Sequence, residues 1–311
     1  MRVVDAAQVA ELLTFDKLVP ALREGFARGA QAPLRHQHAV GAPGEDGRLL
    51  LMPAWSDTYI GVKLVNVFPH NGARGLPAIQ PVYLLSSATT GEQLAAIDGA
   101  ELTRRRTAGA SALAGSYLAK PDASRLLVVG AGKVAEVIPH AYRTVRPIHS
   151  VQVWNRTQDH ADAAVARLRA EGFAAERADD LAAAVRAADI VSCATLSAEP
   201  LIHGDWLQPG CHLDLIGSFA PHLREADDDA VRKATVFVDT EDALEESGDL
   251  IDPLASGALT KAGITATLYD LTRGVHGGRT DADEITYFKS VGTALEDLTA
   301  GALVYQAATA A

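Results

Sequence analysis

Cysteine is scarce in this chain of 311 residues: Cys193 and Cys211 are the only two. So few thiols exclude a disulfide-stapled secreted scaffold and suit a reducing cytosol. Neither cysteine has a histidine at a spacing that would make a zinc site, and no metal is expected. Positive charge is also short. Lys and Arg total 28 against 39 Asp and Glu, a net charge of −11, with no basic stripe, which argues against a nucleic-acid partner. No run of about 18 apolar residues is present, so no transmembrane helix and no membrane partner are expected. The opening Met1-Arg2-Val3-Val4-Asp5 lacks a signal-peptide apolar region, and the expected location is the cytoplasm. Aromatics are few, and neither internal repeats nor low-complexity segments stand out.

The length suits two domains or one large one with a substantial core. Residues 6–30 read as two helices, the second with Leu18, Leu22 and Phe26 recurring along one stripe. From Pro33 to about Ala96 the character turns to short β-like runs at Leu49–Met52, Tyr59–Val67 and Pro81–Leu85. Turns such as Gly41-Ala42-Pro43-Gly44 and Asn71-Gly72 separate them. A helix is predicted from about Ala100 to Leu118. Beyond it, strands are predicted at 126–130, 150–155, 189–193, 212–216, 234–239 and 265–269. Helices are predicted at 132–144, 158–171, 179–187 and 225–232. That alternation is the signature of an α/β, doubly wound parallel sheet. Ser290–Ala308 reads as a final helix with Val291, Leu295, Leu298, Ala302 and Tyr305 on one face. Its return to the first domain would make that domain discontinuous.

The most informative stretch is Leu126-Leu127-Val128-Val129-Gly130-Ala131-Gly132-Lys133-Val134-Ala135, followed by Val151–Trp154 and Asn155-Arg156-Thr157. Strand, glycine turn, helix and second strand follow in the order of a dinucleotide-binding βαβ unit. Gly130 allows the tight turn, Gly132 lets backbone approach a pyrophosphate, and Ala135 permits close helix packing. The phosphates would sit at a helix N-terminus. Where NAD-binding units place an acid, this chain has Asn155, Arg156 and Thr157. A guanidinium and a hydroxyl suit a 2′-phosphate that a carboxylate would repel, which favours NADP(H) over NAD(H). Arg156 reads otherwise as a solvated surface charge.

Three cations outside that unit attract notice. Arg35 follows Pro33-Leu34. Lys63 interrupts the apolar run Ile60-Gly61-Val62-Lys63-Leu64-Val65. Arg106 closes Arg104-Arg105-Arg106 at the start of a helix. A lysine in an apolar strand must face water, pair with an anion or carry a lowered pKa. An arginine near a helix N-terminus is misplaced unless something negative is close. Of the three successive arginines, one or two at most should point inward. Ser218, in the loop after Leu213–Gly217, lies at the carboxyl end of the sheet, where ligands bind. It reads as a hydrogen-bonding partner for substrate or for the nicotinamide ribose, or as a simple cap.

In order along the chain, these motifs resemble the ornithine cyclodeaminase/mu-crystallin family over nearly the whole length. The resemblance rests on Met52-Pro53-Ala54, Gly61-Val62-Lys63 with Pro69 and Asn71, and Thr90-Gly91 with Ile97-Asp98-Gly99. It continues through Leu102-Thr103 with Arg106-Thr107-Ala108, Gly130-Ala131-Gly132, Ala188-Asp189-Ile190-Val191 and Ala194-Thr195. Pro200, Trp206, Pro209-Gly210, Gly217-Ser218 with Arg224-Glu225, and Phe288-Lys289-Ser290-Val291-Gly292 with Asp297 complete it. It implies a substrate and dimerisation domain at residues 1–120, completed by 290–311, and a Rossmann domain at 121–289. The protein is then expected to be a homodimer.

By matching positions, Arg35 and Arg106 would hold a substrate carboxylate and Lys63 would be catalytic beside the reacting atom; Ser218 is expected as a further substrate-binding residue. Cofactor contacts are implied for Thr107, Gly130, Ala131, Gly132, Lys133, Val134, Asn155, Arg156, Thr157, Thr195, Ser290 and Gly292. The cyclodeaminases and related alanine dehydrogenases carry an Asp where this chain has Ser218, and the cyclodeaminases an acid near Asn155. Val134 stands where many members have Gln. The first two departures resemble the ketimine-reductase branch. The activity implied is NADPH-dependent reduction of a cyclic imine carboxylate, Δ1-pyrroline-2-carboxylate to L-proline or Δ1-piperideine-2-carboxylate to L-pipecolate. The alternatives are ornithine cyclodeamination, alanine dehydrogenation, or a non-catalytic NADPH-binding role.

Overall fold

In the computed structural model, residues 1–310 are described except Pro43 and Glu45, so Pro43 of the expected Gly41–Gly44 turn lies outside them. The chain divides into two units, Met1–Arg106 with the chain from Thr293 onward, and Thr107–Gly292.

The first unit opens with β1 (Arg2–Val4), α1 (Ala6–Leu12) and α2 (Phe15–Arg28). Then come β2 (His36–Val40), β3 (Gly47–Trp55), β4 (Tyr59–Val67), β5 (Ile79–Ser87) and β6 (Gln93–Asp98). They form one sheet in the order β1-β6-β5-β4-β3-β2. All pairs are antiparallel except β1 with β6. β2 and β6 were not legible as strands. β2 is a polar edge, His36-Gln37-His38, exposed to water, and lacks the period-two alternation that marks a half-buried strand. At the end of β6, Asp98 Oδ1 accepts the N–H of Glu101 at 2.8 Å. That cap turns the strand directly into α3 (Gly99–Leu118).

The C-terminal helix, Ala294–Ala310, packs on β3, β4 and β5 and against α2. It is buried on more than one face, since Leu295, Glu296, Asp297, Leu298, Ala300, Gly301 and Val304 are all enclosed. It begins four residues later than the expected Ser290. Thr286–Lys289, for which no element is expected, form a strand, as their β-branched and aromatic content favours.

The second unit contains β7 (Arg125–Val129), α4 (Ile138–Arg143), β8 (Ser150–Trp154), α5 (Gln158–Ala170), β9 (Ala174–Arg177), α6 (Leu181–Ala187) and β10 (Ile190–Cys193). It continues through β11 (His212–Leu215), α7 (Asp228–Lys233), β12 (Thr235–Val238), α8 (Ala243–Glu246), α9 (Gly248–Ser256), β13 (Ile264–Thr267), α10 (Leu268–Thr272) and β14 (Thr286–Lys289). The sheet is parallel throughout, in the order β13-β12-β14-β11-β10-β7-β8-β9. From β9 to β11 this is the Rossmann order, with the strand order reversing beside β7.

Two of the expected helices differ in the structure. The helix predicted over 132–144 is broken into a 3-10 turn at Ala135–Val137 and the short α4. Pro139, near the start of α4, has no N–H to continue an α-helical ladder from the preceding turn. The helix predicted over 225–232 starts at Asp228, capped by Asp227 accepting the N–H of Ala230. Glu225 therefore precedes it, and Ala226 makes an isolated parallel bridge with Ile202.

Candidate active site

In the first unit, strand register places Met52, Lys63, Tyr83 and Ile97 in one row across β3, β4, β5 and β6. All four are buried. Lys63 is therefore no edge-strand lysine in water: it is 3% exposed. Its ammonium lies 2.8 Å from Asp297 Oδ2 and donates to Oδ1 at 3.0 Å. Arg106 leaves α3 to meet the same helix turn. Its Nε donates to Asp297 Oδ1 at 3.0 Å and its Nη1 to Glu296 Oε2 at 2.7 Å. Two cations and two carboxylates are thus buried together, which offsets the penalty that each would pay alone. Glu296 and Asp297 sit in the first turn of their helix, where the macrodipole favours negative charge.

The balance at Lys63 is uneven. Burial, and then the Arg106 charge, pull its pKa down to about 8, against the opposing pull of Asp297 and Glu296. A lysine so tuned is charged at neutral pH and able to give up its proton slightly above it.

Of the three successive arginines, Arg106 is the buried one. Arg104 and Arg105 are half-buried and pair with Glu101 at 3.0 and 2.7 Å. Arg35 is half-buried just before β2. The register pairs His36 with Leu51 and Met52 with Lys63, so Arg35 enters the sheet near the level of Lys63, two strands away. The partners that hold Lys63 and Arg106 carry no mark of that role in the sequence: Asp297 enters only as part of the family resemblance, and Glu296 is one more acid in a helix's first turn.

In the second unit, Gly130 has φ +114°, in the left-handed half of conformational space that favours glycine. A Cβ there would sit 2.7 Å from the Ala194 carbonyl oxygen, whereas one on Gly132 would meet nothing within 4 Å. The turn after β7 is thus closed on one side by the 194–195 segment and open at Gly132, as backbone approach by a pyrophosphate requires. Ala131, Lys133 and Val134 complete the turn. The Lys133 ammonium is exposed, 3.9 Å from Glu136. After β8, Asn155 donates its amide N–H to the Thr157 carbonyl at 2.9 Å and so shapes the turn. Arg156 is exposed beside it. Thr107 is half-buried in α3.

Thr195 donates both its N–H and its hydroxyl to Glu225 Oε1, at 2.7 and 2.8 Å. Ser290 and Gly292 follow β14, where Asp239 Oδ2 accepts the N–H groups of Val291 and Gly292 at 2.8 and 2.7 Å. Ser218 is fully buried. Its hydroxyl donates to the Leu223 carbonyl and lies 2.8 Å from Ser247 Oγ. These two contacts tie the loop after β11 to the segments around Leu223 and Ser247. Among the described residues no cluster of His, Cys, Asp and Glu could hold a metal ion, and no helix is long and apolar enough to cross a membrane.

The model of the ornithine cyclodeaminase/mu-crystallin family matches residues 1–311. An uncharacterized protein of Schizosaccharomyces pombe is 45% identical over 303 residues, which is 93% of this chain and 92% of that protein. The Δ1-pyrroline-2-carboxylate reductase of Paracoccus denitrificans is 41% identical over 291 residues, covering 92% of this chain and 90% of its own length. Among solved structures, Thermococcus litoralis Δ1-pyrroline-2-carboxylate reductase in complex with NADH and L-proline is similar with a TM-score of 0.93. It is 30% identical, covering 100% of this chain and 98% of that one.

Proposed function

The chain belongs to the ornithine cyclodeaminase/mu-crystallin family, and from that premise we propose that it is an oxidoreductase acting on cyclic imines that carry a 2-carboxylate. The substrates are Δ1-pyrroline-2-carboxylate, reduced to L-proline, and its six-membered homologue, reduced to L-pipecolate. The observation that carries this reading is the buried pairing of Lys63 and Arg106 through Asp297. A guanidinium and a lysine tuned to about 8 are the groups that a small anion with a basic C=N nitrogen requires. The similarity to reductases of Δ1-pyrroline-2-carboxylate from Paracoccus denitrificans and Thermococcus litoralis supports the same substrate class.

The open Gly132 backbone and the closed Gly130 turn fit a nicotinamide dinucleotide. When bound, that cofactor supplies a hydride for C2 of the imine. Arg106 orients the carboxylate, with Arg35 as its expected second cation, so that C2 and not the ring nitrogen is presented for reduction. Such positioning supplies on the order of 7–11 kcal/mol where alignment is good. The imine accepts a hydride well only when its nitrogen is protonated, and Lys63 holds the proton for that nitrogen. The balance is one imine, one proton and one hydride to one secondary amine.

NADPH is the preferred donor in this proposal, because Asn155-Arg156-Thr157 brings a guanidinium and no carboxylate to the end of β8. The protein is cytoplasmic and acts as a homodimer in the same reading. Ser218 supplies no carboxylate where the cyclodeaminases and alanine dehydrogenases would need one, which favours reduction over deamination.

The deciding experiment follows NADPH and NADH oxidation against five- and six-membered cyclic imine carboxylates, pyruvate with ammonia, and ornithine. Turnover of the cyclic imines is the expected result. Ammonia release from ornithine without net cofactor oxidation, or cofactor binding with no turnover of any substrate, would overturn it.

A further inference from the structure

Glu225 is fully buried, yet it lies in an extended segment and not inside any helix or strand. Its two carboxylate oxygens serve two different loops. Oε1 accepts the N–H and the hydroxyl of Thr195, just after β10, at 2.7 and 2.8 Å. Oε2 accepts the N–H of Gly217, just after β11, at 2.7 Å. β10 and β11 are adjacent parallel strands, so both loops leave the carboxyl edge of the sheet, where ligands of this architecture bind.

The loops are also pressed together. A Cβ on Gly217 would lie 1.8 Å from the Thr195 carbonyl oxygen and 2.5 Å from Glu225 Oε1. The Thr195 segment in turn closes the Gly130 turn, with the Ala194 carbonyl 2.7 Å from where a Gly130 Cβ would be. One carboxylate thus fixes a continuous wall running from the glycine turn across two neighbouring strands. Its own backbone is held from behind. Asp249 Oδ1 accepts the N–H groups of Glu225 and Ala226 at 2.7 and 3.1 Å, and Lys289 Nζ lies 3.3 Å from Asp249 Oδ2.

We propose that Glu225 is a positioning residue for the dinucleotide: its ionised carboxylate holds the loops after β10 and β11 in the conformation that receives the cofactor. This rests on the nicotinamide-cofactor reading above, but not on the identity of the imine. A carboxylate is suited to the task because it accepts at both oxygens. Once protonated, or replaced by an amide, one oxygen becomes a donor that faces another donor, and one loop loses its anchor.

Ionisation at this site is poised. Burial raises the Glu225 carboxyl to about 7, with Lys289 pulling it down and Asp249 pushing it up. Its charge is also felt by the Cys193 thiol at the end of β10 and the Tyr287 hydroxyl on β14, both held neutral well above the physiological range by burial. A ligand that binds only the ionised form must bind more weakly as pH falls through that range.

The test is NADH affinity, measured by fluorescence titration of the intact protein between pH 6 and 9, with thermal unfolding followed in parallel. NADH is the probe because it lacks the 2′-phosphate, which itself titrates near pH ~6. Wild-type affinity is expected to fall several-fold from pH 8 to pH 6. Glu225→Gln is expected to bind about tenfold more weakly at pH 8 and to lose the inflection. A variant with wild-type affinity and a wild-type pH curve would overturn the proposal. If the variant does not fold, the wild-type curve decides alone, and flat affinity over pH 6–9 overturns it. Binding with the expected inflection but no imine turnover would leave this inference standing and sink the proposed reaction. A wild-type protein that binds neither NADH nor NADPH would sink the cofactor reading, and this inference with it.

Discussion

Lys63 Nζ and Asp297 Oδ2 lie 2.8 Å apart and buried, although 234 residues separate them in the chain. β4 brings the lysine and the first turn of the C-terminal helix brings the carboxylate. The consequence is a lysine whose proton is held by one partner and repelled by another. In the proposed reaction the protonated form is the competent one, so activity should decline as pH rises through about 8. In Asp297→Asn the favourable charge disappears while burial and Arg106 remain. The Lys63 pKa then falls, and the alkaline decline of kcat/KM should move to lower pH. Rate profiles of the two proteins over pH 6–10 check this, and superimposable profiles would remove Asp297 from the proposal. Lys63→Met should lower kcat/KM for cyclic imines by about 10²-fold or more, the usual size of a general-acid contribution.

Arg106 allows the carboxylate clamp to be separated from structural support. Arg106→Ala leaves Glu296 and Asp297 without a guanidinium that both contact, and loss of one member of a buried ion pair costs about 3–5 kcal/mol. Its thermal midpoint should drop sharply. Arg106→Lys keeps a charge but not the planar fork. It is therefore expected to fold and to raise the KM for imine carboxylates by about ten- to a hundredfold, with less effect on kcat. An unaltered KM in the folded Lys variant would count against the clamp.

At the end of β8, Arg156 is exposed and makes no hydrogen bond or ion pair among the described residues. Removing it should cost the fold little. Arg156→Ala is expected to raise the KM for NADPH about tenfold or more, the worth of a charge-assisted contact, and to leave that for NADH near its original value. Kinetics with both donors give the ratio directly. Equal changes for NADPH and NADH would contradict a 2′-phosphate contact.

What could be read in advance was set by how local the cause is. Lys63 announced itself because an ammonium inside Ile60–Val65 has to be explained. Gly130 and Gly132 did so because they follow an apolar strand directly. Glu296 and Asp297 did not, since two acids in a helix's first turn are ordinary on a solvated helix. Only the packing of that helix on β3, β4 and β5 makes them buried partners. Glu225 was hidden in the same way. The predicted helix began at residue 225, whereas Asp227 caps a helix that starts after it, freeing Glu225 to reach two loops. β14 was missed because it is only four residues long: Thr286, Tyr287 and Phe288 favour an extended chain, but its place between β11 and β12 is a long-range pairing that local content does not mark. The break before α4 did have one, Pro139, and the strength of the βαβ pattern masked it.

The row that carries Lys63 also depends on a space that only glycine leaves. Gly61 lies two residues before Lys63 on β4, and a Cβ there would sit 1.7 Å from the Tyr83 hydroxyl oxygen and 2.6 Å from its Cζ. Tyr83 is enclosed and cannot swing into solvent, so the clash must be relieved by moving the sheet or the C-terminal helix. Gly61→Ala is therefore expected to destabilise the protein by about 1–3 kcal/mol or more. Because the same helix bears Asp297, imine turnover should fall as well. Tyr83→Phe removes the nearer of the two atoms and should restore part of the lost stability in the double variant. Thermal unfolding of the single and double variants gives the coupling. Strict additivity would show that the alanine methyl does not press on Tyr83.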